Sequence, residues 1–258
     1  MVKLNLAIVL IFITVQLRGQ EYQVLQVKGE IVRSSDGTIL KPGDKISEEE
    51  QIQFVTKDAM AAVLSEEKGR YIIKVKSEET DQSDLIYVLK STISPVRGGM
   101  SSRSSGIRNQ VDLMLYFQEE PFVWVGDLIR VKIAPSAFRM NDKNYFFLRY
   151  TVNEEKINKK LPFEDDILII DKSLVFTVDG QSFNAADAGN FELFYYRSSH
   201  EEATSMAKID FVLMDIEDVE ILYSALVDES EYPFYDVAEI LSDLYGKCDP
   251  LQLMYNIE

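Results

Sequence analysis

The stretch DAGNFELFYYRSS, residues 187–199, sets an acidic residue and a glycine ahead of alternating large apolar side chains. This is the pattern of a β-strand with a tight turn before it. Working outward, segments of the same kind recur from Val111 to Met214: LIRVKIAP, NYFFLRYTVN, DILIIDKSLVFTVD and MAKIDFVLM. Side chains on a strand point alternately to two faces. Phe147, Arg149 and Thr151 therefore share one face, and Phe146, Leu148, Tyr150 and Val152 share the other. One dry face and one wet face is what an antiparallel sandwich requires.

Upstream, residues 22–75 carry short apolar runs (Val24, Val27, Ile31; Ile39, Leu40; Ile52, Phe54). They are punctuated by Gly29, Asp36-Gly37, Pro42-Gly43-Asp44 and Lys68-Gly69, at intervals of about ten residues. That rhythm predicts a small all-β domain over residues 21–93. Residues 94–110, SPVRGGMSSRSSGIRNQ, hold three Arg including Arg103 and Arg108, no acid, and Gly, Ser and Pro in bulk. They read as a linker.

After Met214 the period changes. DIEDVEILYSAL places Ile216, Val219, Leu222 and Leu226 at helical spacing, and PFYDVAEILSDLYGK repeats this with Val237, Ile240, Leu241 and Leu244. Pro233 suits a helix start and Gly246 its end. Residues 215–258 therefore read as a helical hairpin with twelve acids and one Lys. Its apolar stripe is expected to pack either on its own sandwich or on a partner.

Two family resemblances follow from these residues. The opening at Val27–Ile31, the L-x-P-G-D-x-I turn at Leu40–Ile46, and Ala59, Ala62, Leu64 and Gly69 resemble a FecR-type domain. That resemblance implies an envelope module and no activity. Asp187, Gly189 and Phe191, with Leu193 where a Cys would stand, resemble the late-strand corner of a disulfide-free immunoglobulin-like β-sandwich. It implies a recognition or spacer role over residues 111–214. The expected fold is thus mainly β: a FecR-like domain and an immunoglobulin-like sandwich, followed by an acidic helical hairpin.

The first twenty residues, with Lys3 and an apolar run from Leu6 to Val15, read as a secretory signal peptide. The run is too short to span a bilayer comfortably. The chain holds 27 Lys and Arg against 43 Asp and Glu, a net charge of −16. Such a balance disfavours nucleic acid, which needs a basic field. The single Cys248 forms no internal disulfide, so the exported chain relies on packing.

Candidates for chemistry are few. His200, the only histidine, sits in a polar turn, and Cys248 has no base or oxyanion motif beside it. Carboxylate pairs at Glu119-Glu120, Glu154-Glu155, Glu164–Asp166 and Glu201-Glu202 lie in predicted turns, as solvated charge does. No cofactor or metal is implied. The expectation is a non-enzymatic adaptor or accessory subunit of a bacterial cell-envelope complex, exported to the periplasm or envelope. Its partner would be another envelope protein or membrane complex with a basic surface, and no membrane span would follow signal cleavage. The candidate contacts are Ile216, Val219, Leu222, Asp236, Glu239 and Asp243 on the hairpin, Tyr145 and Tyr196 with Phe194 on the sandwich, and Arg103 and Arg108 in the linker. The alternative is a carbohydrate or peptidoglycan binding module that stacks sugars on Trp124 or on exposed Tyr rings.

Overall fold

The computed structural model describes residues 21–65, 69–74, 86–88, 93–95, 106–117, 120–228 and 230–257. The predicted leader at 1–20, Arg103 and Glu119 lie outside these residues. The chain is mainly β and divides into two compact units, residues 1–96 and 97–258.

The first unit is built from β1 (Glu21–Lys28), β2 (Ile31–Arg33), β3 (Lys45–Ser47), β4 (Gln51–Phe54), β5 (Met60–Ser65), β6 (Gly69–Lys74), β7 (Ile86–Val88) and β8 (Ile93–Pro95). They form a five-stranded antiparallel sheet in the order β3-β1-β5-β6-β8 and a three-stranded sheet in the order β2-β4-β7. Strict alternation shows why β4 is a strand: Ile52 and Phe54 are fully buried while Gln51 and Gln53 are exposed. The core joins these two to Tyr22, Val24, Ile31, Leu40, Ile46, Ala59, Val63 and Ile73. The Pro42-Gly43-Asp44 turn closes on itself, with the Lys41 N–H donating to the Asp44 carboxylate at 2.9 Å and the Gly43 N–H to the Val24 carbonyl at 2.8 Å. Gly29 turns the chain between β1 and β2 at φ +72°, where a Cβ would lie 2.3 Å from Thr56 Oγ1. Only glycine meets both demands.

The second unit holds β9 (Phe122–Val125), β10 (Leu128–Lys132), β11 (Asn144–Val152), β12 (Glu155–Lys160), β13 (Phe163–Glu164), β14 (Ile167–Asp171), β15 (Thr177–Val178), β16 (Gln181–Ser182), β17 (Ala188–Arg197), β18 (Glu202–Ile209) and β19 (Phe211–Met214). One antiparallel sheet runs β12-β11-β17-β18 and a second runs β10-β14-β13; β9 and β19 pair in parallel, and β15 and β16 form a small ribbon. The two larger sheets share one core. Ile129, Val131, Leu168 and Ile170 come from one, and Phe146, Leu148, Tyr150, Leu193 and Tyr195 from the other. Of the opening stretch, Leu193 is fully buried and Phe191 nearly so, as apolar volume at the sheet interior requires.

Among the described residues, five α-helices accompany these strands: α1 (Gln110–Phe117), α2 (Lys172–Val175), α3 (Ile216–Leu226), α4 (Pro233–Tyr245) and α5 (Pro250–Ile257). Helix α1 corrects the expectation that the β pattern resumes at Val111. Asn109 accepts the Asp112 N–H and the Asp112 carboxylate accepts the Arg108 N–H, both at 2.9 Å. This reciprocal cap starts a helix whose Leu113 and Phe117, one turn apart, are buried. Helix α5 turns the expected hairpin into a three-helix layer. Asp249 accepts the Leu251 N–H at 2.9 Å, and Pro250 occupies the first turn, where its missing N–H costs nothing.

Candidate functional site

The three C-terminal helices belong to the second unit. Val219, Leu222 and Leu226 of α3 and Val237, Ala238, Ile240, Leu241 and Leu244 of α4 are buried, and the rings of Tyr223 and Phe234 stack at 4.7 Å. Residue Lys247, after α4, pairs with β9. Its N–H donates to the Pro121 carbonyl at 2.7 Å and its carbonyl accepts the Val123 N–H at 2.8 Å. Gly246 makes this approach possible at φ +125°, since a Cβ there would lie 2.2 Å from the Pro121 oxygen.

Helix α5 seals the edge of β10 with two side-chain amides. Gln252, 3 % exposed, accepts the Arg130 N–H at 2.9 Å and donates to the Arg130 carbonyl at 2.7 Å. Asn256 donates to the Leu128 carbonyl at 3.1 Å and accepts the Leu128 N–H at 3.4 Å. Four residues of helix rise about 6 Å, and two residues of strand span about 6.7 Å. The two amides therefore match the outward-facing backbone pairs at residues 128 and 130, standing in for a neighbouring strand. Ile107 continues the seal, its N–H donating to the Lys132 carbonyl and its carbonyl accepting the Ala134 N–H, both at 2.8 Å. An open edge invites pairing with another chain, and this one is closed.

Beside the seal lies a half-buried polar cluster. Tyr116 donates to Asp249 Oδ2 at 2.6 Å, and Lys247 Nζ donates to the Leu115 carbonyl at 2.8 Å while lying 5.0 Å from the Tyr116 ring centre. Burial, reinforced by the Asp249 charge, holds the Tyr116 hydroxyl well above its ordinary range. The same two causes push the Cys248 thiol far up. A buried thiol held protonated is a poor nucleophile, and the Tyr116–Asp249 bond ties α1 to the start of α5.

Two exposed surfaces remain, and they differ in sign. The first is the outward side of α3 and α4. Glu217, Glu220 and Ile221 are exposed on α3, and Tyr235 and Asp243 on α4, with Tyr232 exposed just before it. From residue 209 to 246 there is no Lys or Arg. The second is the outer face of β12-β11-β17-β18. Tyr145 lies opposite Tyr196 with ring centres 5.2 Å apart, and Phe147 lies opposite Phe194, stacked at 5.1 Å. Arg149 spreads over Phe194 at 4.3 Å and Phe147 at 5.6 Å, and Lys160 sits 4.6 Å from the Tyr145 ring centre. The register adds Lys156 opposite Thr151 and Lys208 opposite Glu192. The result is a cationic face on an acidic chain.

The residues nominated from sequence fall unevenly on these surfaces. Asp243 is exposed, Ile216 and Glu239 are half-buried, and Asp236 is half-buried and accepts a hydrogen bond from Ser230, bracing the α3–α4 connection. Val219 and Leu222 are fully buried in the chain's own helical layer, which corrects their nomination as partner contacts: a stripe satisfied internally is not offered outside. Tyr145 and Tyr196 are brought together. Arg108 is exposed ahead of α1. Trp124 corrects another expectation: it is fully buried against Phe176 and Phe211 and presents no surface for a sugar. Phe147 and Phe194, 9 % and 8 % exposed, are covered by Arg149 rather than open to stacking. Glu217, Glu220, Ile221, Tyr232, Arg149, Lys156 and Lys160 were not singled out as contacts. The helical period alone placed the first three opposite the buried stripe.

The other nominated groups are surface features. His200 is exposed in the β17–β18 turn, with Ser199 Oγ 2.8 Å from its Nδ1. Glu164 pairs with Arg130 at 3.3 Å and Asp166 with Lys132 at 3.7 Å. Among the described residues, no three His, Cys, Asp or Glu side chains converge as metal ligands, and no helix is long and apolar enough to cross a membrane. Comparison of the chain with protein-family models, curated proteins and solved structures finds no match in any of the three.

Proposed function

We propose that the chain is an exported, non-enzymatic adaptor: an accessory subunit that binds a protein partner in a bacterial cell-envelope complex. The observation that carries this reading is the outward side of α3 and α4, where acids alternate with exposed Ile221, Tyr232 and Tyr235. Tyrosine and apolar anchors supply contact area at interfaces, and a field of one sign steers a partner of the other. The partner therefore presents a basic surface with an apolar centre. The FecR-like reading of the first unit is supported by its closed Gly-Asp turn and small antiparallel sheets. The immunoglobulin-like reading of the second is supported by the strand orders β10-β14-β13 and β12-β11-β17-β18 and by Leu193 inside the core. Fold alone does not assign a ligand, so the charged surface carries the argument.

The test is affinity purification of the natively expressed chain from gently solubilised envelopes, at low and high salt, with mass spectrometry of its companions. A stoichiometric envelope protein that is lost at high salt supports the adaptor. Isolation of the chain alone under both conditions refutes it.

A further inference from the structure

The same unit carries both halves of a charged contact. Lys156, Lys160, Arg149 and Lys208 stand on the outer face of β12-β11-β17-β18, with Glu192 opposite Lys208 and Asp142 4.0 Å from Lys160 Nζ. Glu217, Glu220 and Asp243 stand on the outward side of α3 and α4, around Ile221 and Tyr235. One chain cannot bring these surfaces together. The helices are attached along β9 and the β10 edge, through Lys247, Gln252 and Asn256, whereas the cationic face is the outside of the opposing sheet, across the shared core. Folding the helices onto it would break the seal on β10.

We infer that the cationic aromatic face is the docking surface for the acidic α3–α4 side of a second copy of this chain, giving a head-to-tail contact. Charge complementarity selects the occupant. The face offers four cations held at fixed spacings by the sheet register, and Arg149 is pinned further by its Nε bond to Asn158 Oδ1 at 2.8 Å. The Tyr145–Tyr196 pair, half-buried with its rings tilted by 35°, gives one end of the face an aromatic floor to meet Ile221. A contact between two different patches leaves one free patch of each kind, so association continues beyond a pair unless it closes into a ring. The net charge of −16 opposes assembly at long range. Salt screens that repulsion as well as the attraction, so charge reversal is the decisive probe.

This inference stands whether or not a different protein also binds the helices, because it is read from purified chain alone. One variant, Lys156→Glu with Lys160→Glu, removes the accepting face. A second, Glu217→Lys with Glu220→Lys, removes the inserting face. All four positions are exposed, and the buried Trp124 reports through its emission that each variant is folded. In sedimentation velocity, the unmodified chain is expected to grow in mass with concentration and each variant alone to remain monomeric. An equimolar mixture of the two is expected to regain association, since the acidic helices of the first variant meet the cationic face of the second and the two reversed patches complement each other in turn. A monomeric unmodified chain, association of either variant by itself, or a mixture that stays monomeric would each overturn the inference.

Discussion

Replacing Gln252 by Leu isolates the seal on β10. The substitution keeps the size and burial of the side chain and deletes both hydrogen bonds to Arg130, at 2.9 and 2.7 Å, together with the longer one to the Tyr116 hydroxyl at 3.4 Å. Each backbone group left without a partner in a site closed to water costs about 1–3 kcal/mol, and the apolar replacement recovers part of this through burial. A loss of about 2–4 kcal/mol follows, a large fraction of the roughly 5–15 kcal/mol that holds a domain together. In a unit of this size each kcal/mol moves the midpoint by about 2–4 °C, so the melting temperature should fall by about 4–16 °C. The assay is built in, because Trp124 is the only tryptophan and lies in the second unit. Its emission follows that unit without interference from the first. Gln252→Glu sharpens the test, since a buried carboxylate keeps an acceptor but loses the donor to the Arg130 carbonyl, and its protonation at acid pH restores one. The reasoning is refuted if Gln252→Leu leaves the midpoint within about 1 °C of the original, well under the shift that a loss of 1 kcal/mol would give.

Three other outcomes follow from the same packing. Deleting residues 215–258 uncovers β9 and the β10 edge, so the second unit should lose its cooperative Trp124 transition; a truncated chain that retains it would show the helices to be dispensable. Gly246→Ala places a methyl group against the Pro121 carbonyl at a positive φ, and should destabilise the second unit by more than about 2 kcal/mol, since strain at such a position adds to the clash. The third concerns alkaline pH. Tyr116 and Cys248 have folded-state pKa values raised above their unfolded values, near 10 and 9. The unfolded chain thus loses these protons first, and the stabilisation present at neutral pH is lost as pH rises above about 9 for Cys248 and about 10 for Tyr116, by about 1.4 kcal/mol per pH unit for each group. Urea midpoints measured from pH 7 to 11 should fall along this limb, and Cys248→Ala should make it shallower. A flat profile, or an equal slope in the variant, would contradict the assignment.

Much of the fold was legible because alternation and turn chemistry agree. Gln51–Phe54 alternates strictly, the glycines at 29, 37, 43 and 69 all take positive φ, and the stripe at Val219, Leu222 and Leu226 has the helical period. The elements that escaped are short. VDLMLYF and PLQLMYNI are apolar runs too brief for periodicity to separate strand from helix, and only Asn109 with Asp112, and Asp249 with Pro250, announce their starts. The charged surfaces were legible in part. Acidity in the helices is contiguous in sequence, but the cationic face gathers Arg149, Lys156, Lys160 and Lys208 from three strands, which only the register brings together. Val219 and Leu222 misled for a physical reason: an amphipathic stripe states that a face will be buried and does not say against what.

The central claim, that the acidic helical side meets a protein partner, is tested most directly by placing a photo-crosslinking residue at Ile221, 52 % exposed at the middle of that side, in cells expressing the full chain. The account predicts a discrete crosslink to a different envelope protein, absent when Glu217 and Glu220 are reversed to Lys. Crosslinking to no other protein, or an identical pattern after charge reversal, would contradict it.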